Sequence, residues 1–274
     1  MKTIAKRLSA AAAALVIAAG SVYTGVCLTQ NGTVSAAETT AASSAYKGKK
    51  PKYIFMFIGD GMSYPQIQVT QDYYSAMRDD NNNDILEANS YLNFTHFEAT
   101  GSAVTYDSSS FCPDSASTAT SLSTGYKTYS GTINMDETYT TSYETIAEKL
   151  KDQMGYKVGI VSSVNLNHAT PAAYYAHQAS RNSYYEIGLE LIDSDFDYFA
   201  GGGLKQADGK NGDRKNLYDL AEKNGYNVIM TQDEAEKLTA KDGKAIIIGE
   251  TLADSDALSY ANDRILTLPE DFPA

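Results

Sequence analysis

One stretch constrains this 274-residue chain more than any other: Cys112-Pro113-Asp114-Ser115-Ala116-Ser117-Thr118-Ala119-Thr120-Ser121-Leu122-Ser123-Thr124-Gly125. Pro113 and Asp114 can end an extended segment and supply the N′ and N-cap positions of a helix, and residues 115–122 are compatible with that helix. Gly125 then stands where a helix terminates with a left-handed residue. Ser115 falls in the first turn, where free backbone N–H groups and the positive end of the helix dipole collect anions. A hydroxyl held there suits attack on a phosphoryl group. The same small residues also fit a helix packed closely against a sheet, so the surrounding chain has to separate the two readings.

Residues 1–36 read as an export signal rather than as part of the fold. Lys2, Lys6 and Arg7 precede an apolar run over 10–19, and Val34-Ser35-Ala36 resembles a small-residue cleavage site. The run is too short for a comfortable membrane span, so no stable membrane insertion is expected. Val26 before Cys27 does not suit a lipoprotein signal, and export by cleavage to an extracellular or cell-envelope location is the expectation. Residues 37–51, rich in Ala, Thr and Ser, read as a flexible lead-in, and 52–274 as the folded part.

The leader holds three of the 22 basic residues and none of the 34 acidic ones, so the chain beyond it carries −15. That disfavours nucleic acid and anionic membrane as partners. An anionic substrate would need local positive charge, from metal ions or a placed arginine. Of the two cysteines, Cys27 leaves with the leader, which gives Cys112 no disulfide partner. A small buried packing role is expected for Cys112.

Residues 52–58 form a nearly continuous apolar run, as for a strand covered on both faces. They lead into Gly59-Asp60-Gly61, which puts a carboxylate where open α/β sheets place ligand groups, although Gly-Asp-Gly is also ordinary turn chemistry. Residues 79–90 are a polar surface loop. Thr141 to Glu144 fits a capping box for a helix carrying Ile146 and Leu150, stopped by Gly155. Residues 156–162 are a second buried strand. Helical patterns over 217–224 and 233–238 each lead into strand patterns, over 226–230 and 245–248. The alternation predicts a doubly wound, mostly parallel α/β sheet with helices on both faces. Thr170 and Pro171 read as the N-cap and first residue of a helix carrying His177 and Arg181. His96 and His177 read as packing residues.

Taken together, these segments resemble alkaline phosphatase, the secreted metal-dependent phosphomonoesterase. The resemblance rests on I-G-D-G-M at 58–62, P-D-S-A-S-T-A-T at 113–120, T-G-Y-K-T at 124–128, H-A-T-P-A-A at 168–173 and S-R at 180–181, in that order, over roughly 52–268. It implies hydrolysis of phosphate monoesters with two zinc ions and a magnesium ion. Ser115 is then similar to the nucleophile that becomes phosphoserine, with a zinc ion on its oxygen lowering the hydroxyl pKa. Asp114 resembles the carboxylate that orients Arg181, the arginine that grips phosphate. Asp60 resembles the ligand shared between one zinc and the magnesium, and Thr170 a magnesium ligand. His168 matches the histidine-bearing branch of the family, where the side chain acts on magnesium through water.

The family draws its other metal ligands from a C-terminal half. Here only three histidines occur, and the chain ends at Ala274 soon after Ala261-Asn262-Asp263-Arg264, which resembles the segment before that half. A truncated fragment of an incomplete sheet is therefore expected, with impaired activity and with a homodimer or a complementing C-terminal half as candidate partners. Two rivals stand beside this reading: another superfamily hydrolase, such as a phosphodiesterase or sulfatase, and a non-catalytic phosphate- or metal-binding remnant.

Overall fold

The computed structural model describes residues 50–77 and 91–260, with two short strands closer to the N-terminus. It divides into two units, Met1–Phe57 and Ile58–Ala274. In the first, β1 (Cys27–Leu28) pairs antiparallel with β2 (Val34–Ser35). The rest of the expected leader, most of the lead-in and the loop at 79–90 lie outside the described residues. Residues 52–57 are described, and they are not a strand. Tyr53, Phe55 and Phe57 are 67%, 79% and 91% exposed, which corrects the expectation of a buried strand over 52–58. Apolar composition suits a strand, but a strand exists only through a ladder to a neighbour. No described strand pairs with this segment.

The second unit is built on a wholly parallel sheet of β3 (Gly159–Val161), β4 (Tyr198–Gly201), β5 (Tyr226–Ile229) and β6 (Lys244–Ile248). The spatial order is β3-β4-β6-β5, and one row across it reads Ile160, Phe199, Ile246, Val228. Helices Tyr184–Asp193, Leu217–Lys223 and Gln232–Ala235 lie in the connections, so this is the expected α/β architecture. The patterns over 226–230 and 245–248 lead to β5 and β6. The one over 156–162 leads to an edge strand, not a buried one: Val161 is 73% exposed. Sequence reasoning did not pick out β4, helix Tyr184–Asp193 or helix Tyr64–Met77.

Phe199 is the centre of the core. Its fully buried ring meets Tyr175 edge-on at 5.5 Å and stacks with Phe196 at 6.1 Å. Ile187, Leu191, Leu217 and Ile246 are fully buried in the same cluster. Helix Ser115–Thr124 turns Ala116, Ala119 and Thr120 to the interior and packs against helices Ala169–Ala172 and Ile146–Met154.

Two expectations about helix ends need correction. The capping box belongs to Thr145 and Glu148, not to Thr141 and Glu144; Thr145 caps helix Ile146–Met154, and Glu148 returns a bond to its backbone. The T-x-x-E pattern occurs twice four residues apart, and Thr145 is the copy fixed from outside, its hydroxyl donating to the Tyr174 carbonyl at 3.0 Å. The helix expected to run from Thr170 through Arg181 spans only Ala169–Ala172, with His168 rather than Thr170 at the N-cap. His177 and Arg181 follow it in irregular chain.

That break places His177 between two carboxylates. Nε2 lies 3.6 Å from Glu148 and Nδ1 3.5 Å from Glu190, so His177 is a charged clamp and not simply a packing residue. Burial alone would lower its pKa, but the bonds to Glu148 and Glu190 outweigh this and raise it to about 10. The other two packing expectations also fail, since His96 is exposed against the Tyr91 ring and Cys112 is an exposed free thiol. Because the folded-state pKa of His177 is raised, its stabilisation is complete below about pH 6.5 and fades as pH rises towards 10. His177→Gln should therefore cost about 1.5–3 kcal/mol at pH 6 and much less at pH 10. Urea unfolding at both pH values measures this, and a constant difference would refute it.

Candidate active site

The starts of helices Ser115–Thr124 and Ala169–Ala172 meet the Asp60 turn and the irregular segment that carries Arg181. Helix Ser115–Thr124 begins there: Asp114 at its N-cap accepts from the Ser117 amide at 3.1 Å, and Gly125 ends the helix with φ 82°. Both caps are as the sequence predicts. Ser115 lies in the first turn, half-buried. Asp60 sits in a tight turn closed by Met62 N–H donating to the Gly59 carbonyl at 3.2 Å, with Gly61 supplying the φ of 64° that this turn requires.

Asp60 draws two hydroxyls together. Ser115 Oγ donates to its Oδ2 at 2.9 Å, and Thr170 Oγ1 donates to the same atom at 3.1 Å. On the other side, Arg181 Nη1 donates to Asp114 Oδ2 at 2.8 Å, and Nη2 lies 3.1 Å from His168 Nε2. All six residues that the sequence singled out, Asp60, Asp114, Ser115, His168, Thr170 and Arg181, thus form one linked constellation. Sequence reasoning missed Gly131, whose amide reaches Asp114 Oδ1 as the Ser117 amide does; Gly131 sits at φ 83°, a backbone region that glycine alone enters freely. A signal for Gly131 was available in Ser130-Gly131, an ordinary turn dipeptide.

The electrostatics of the constellation are set by the Asp114–Arg181 ion pair. Burial would raise the Asp114 pKa, but the Gly131 and Ser117 amides and Arg181 outweigh it and hold the carboxyl below its usual range. Burial, and then the charge of Arg181, push the His168 pKa down, so the imidazole is neutral beside the guanidinium. A neutral imidazole has one acceptor nitrogen. Only one of two contacts, Arg181 at Nε2 or the Thr170 amide at Nδ1 (3.4 Å), is therefore a hydrogen bond at a time.

The donor set tests the metals that the resemblance implies. Asp60 and Thr170 offer converging oxygens, which suit a hard cation such as magnesium, with His168 two residues before Thr170. Zinc prefers nitrogen and sulfur with about four ligands. Among the described residues no group of three or more His, Cys, Asp or Glu side chains converges in that way. The residues present fit part of a magnesium site and do not make a zinc site.

The alkaline phosphatase family model matches residues 51–264. The chain belongs to the alkaline phosphatase family. It is 31% identical over 210 residues to alkaline phosphatase 4 of Bacillus subtilis, which covers 73% of this chain and 43% of that protein. It is 28% identical over 221 residues to the tissue-nonspecific alkaline phosphatase of Gallus gallus, covering 72% and 39%. Among solved structures it resembles the cold-active alkaline phosphatase of a Shewanella species, with TM-score 0.60 and 28% identity over 75% of this chain and 47% of that one. A variant of the alkaline phosphatase from the Antarctic bacterium TAB5, with a histidine replaced by aspartate, holds magnesium in its M3 site; it is 27% identical with TM-score 0.54. The match covers between 39% and 51% of the length of these four proteins.

The Asp114–Arg181 pair generates a pH prediction. A lowered carboxylate pKa contributes stability above the ordinary value of about 3.8, and the contribution is lost as pH falls below it. Arg181→Ala should cost about 1.5–3 kcal/mol near neutral pH, for a bond between charged groups. The gap to the parent chain should narrow below pH 3.8. Urea unfolding at neutral and acid pH measures it, and a gap that widens in acid would refute the assignment.

Proposed function

We propose that this chain carries the nucleophile and the phosphate grip of a metal-dependent phosphomonoesterase that works through a phosphoserine. Family membership supports the reaction class. The observation that carries the residue roles is the convergence of Ser115, held at a helix start, with Arg181, held by Asp114. A phosphate monoester placed at the start of helix Ser115–Thr124 would present two oxygens to the Arg181 guanidinium, whose planar fork suits bidentate contact. Ser115 Oγ would attack phosphorus, the alkoxide would leave, and water would later release phosphate from Ser115. Asp60 Oδ2 is the acceptor that holds the Ser115 hydroxyl proton. Asp60 and Thr170 would hold magnesium, with His168 acting through a water; when bound, the ion supplies electrostatic stabilisation and a polarised water. No step is assigned to zinc, because the described donors do not make its site.

One observation favours a second reading, a phosphate- or metal-binding chain with little turnover: among the described residues no three His, Cys, Asp or Glu side chains are grouped to hold a metal. A phosphodiesterase or sulfatase activity is the remaining rival, and comparing monoester with diester and sulfate-ester turnover separates it. Export to the cell envelope or exterior, with residues 1–36 as a leader, belongs to the same proposal. No described helix is long and apolar enough to cross a membrane.

Ser115→Ala should abolish covalent labelling when the chain is incubated with radiolabelled phosphate plus zinc and magnesium and quenched in acid. Label on any other residue would refute the nucleophile assignment. Turnover of p-nitrophenyl phosphate at alkaline pH by purified residues 37–274 should be weak, with little zinc retained. Robust turnover with two tightly held zinc ions, as two-metal catalysis needs, would overturn the argument from the donor set.

A further inference from the structure

Asp107 lies outside the constellation just described, yet it is the most heavily bonded carboxylate behind it. The residue is 5% exposed. Its Oδ1 accepts from the Ser109 amide at 2.7 Å, the Ser109 hydroxyl at 2.9 Å and the Ser110 amide at 2.6 Å. Its Oδ2 accepts from the Ser130 hydroxyl and faces the Ser117 hydroxyl at 3.0 Å. Burial raises its pKa, but the bonds from Ser130, Ser109 and Ser117 outweigh this and bring it down to about 2, so the group is an anion at any working pH.

Both Oδ2 partners lead to the phosphate arginine. Ser117 bonds Asp114 through its amide, and its hydroxyl lies 2.9 Å from Asp114 Oδ1. One hydroxyl proton cannot serve both carboxylates, so Ser117 is shared between Asp107 and Asp114. Next to Ser130, the Gly131 amide donates to Asp114 Oδ1 at 3.0 Å, and the Gly131 carbonyl accepts from the Arg181 amide at 2.7 Å. The Asp107 turn is tied to the same loop by Ser108 N–H donating to the Thr128 carbonyl at 2.9 Å and Ser130 N–H to the Ser109 hydroxyl at 3.0 Å. The side chain and the main chain of Arg181 therefore both hang from pieces that Asp107 clamps.

We propose that Asp107 is a positioning residue for the phosphate grip: it locks the Ser130–Gly131 turn to the first turn of helix Ser115–Thr124, and so aims Arg181 at the substrate phosphate. The proposal rests on the reading that Arg181 grips phosphate. Asp107 touches no reacting atom and acts only through Asp114 and Gly131.

The test is calorimetric titration of inorganic phosphate into the chain, supplemented with zinc and magnesium, for the parent, Asp107→Ala, Asp107→Asn, Arg181→Ala and the Asp107→Ala/Arg181→Ala double variant. Asp107→Ala should weaken phosphate binding about tenfold. Asp107→Asn should recover part of the loss, because its carbonyl oxygen can still accept from Ser109 and Ser110. The double variant should bind no more weakly than Arg181→Ala alone, since a residue that acts through Arg181 has nothing further to lose. Losses that simply add would overturn the proposal. Amide hydrogen exchange on the same variants gives a readout independent of phosphate. Asp107→Ala should speed exchange at Gly131 and Arg181 while β4 and β6 keep their protection; unchanged exchange, or uniform loss of protection, would overturn the clamp. A parent chain that takes up no phosphate would refute the phosphate-grip reading instead, and the exchange pattern would still decide whether Asp107 holds the Arg181 loop.

Discussion

Asp114 uses its two carboxylate oxygens for two different purposes, and the geometry of the site follows from that division. Oδ1 accepts from the amides of Ser117 and Gly131, which fixes the start of helix Ser115–Thr124 against the turn after it. Oδ2 accepts from Arg181 at 2.8 Å. A single charged group thus caps the helix that presents Ser115 and orients the only guanidinium in the constellation. The pair is partly buried, so a missing partner would leave a charge that little water can solvate.

The supports behind Asp114 are polar where much of the core is apolar. Ser117, Thr120, Ser123, Thr132 and Asn134 are buried. Asn134 donates to the carbonyls of Ala173 and Ala176 and accepts from Ser123, joining the C-terminal turn of the helix to the chain that leads towards Arg181. Such networks gain little net stability per bond, but they leave few alternative arrangements, because each unmade bond in a dry interior is costly. That suits a site in which one hydroxyl and one arginine must be held in fixed relation. The apolar core around Phe199 is the complementary part: it stabilises the sheet and has no direct role in the chemistry.

On the proposed reading, an acidic chain receives an anion at this site. Arg181 and the first-turn amides of helix Ser115–Thr124 are the groups that would meet it, beside a neutral His168. Asp60 gathers hydroxyls rather than basic groups.

Local rules gave correct answers where the interaction itself is local. The N-cap of Asp114 on Ser117 spans three residues, and the left-handed Gly125 follows from the end of the same helix, so both could be read from residue types alone. The apolar runs that became β5 and β6 were legible for the same reason. Tertiary structure decided the rest. Ser115 meets Asp60 across 55 positions, Arg181 meets Asp114 across 67 and Thr170 meets Asp60 across 110, and only the likeness of whole motifs to a known family suggested those meetings beforehand. Two T-x-x-E patterns were equivalent until the Tyr174 carbonyl selected Thr145. Residues 52–57 had the composition of a strand and no described strand to pair with. His177 became a charged clamp because Glu148 and Glu190, from two different helices, close on it. The sequence by itself determines which groups can bond to near neighbours. Which distant groups complete those bonds depends on where the folded chain places them, and for a half-buried carboxylate or imidazole that decides its charge and its role.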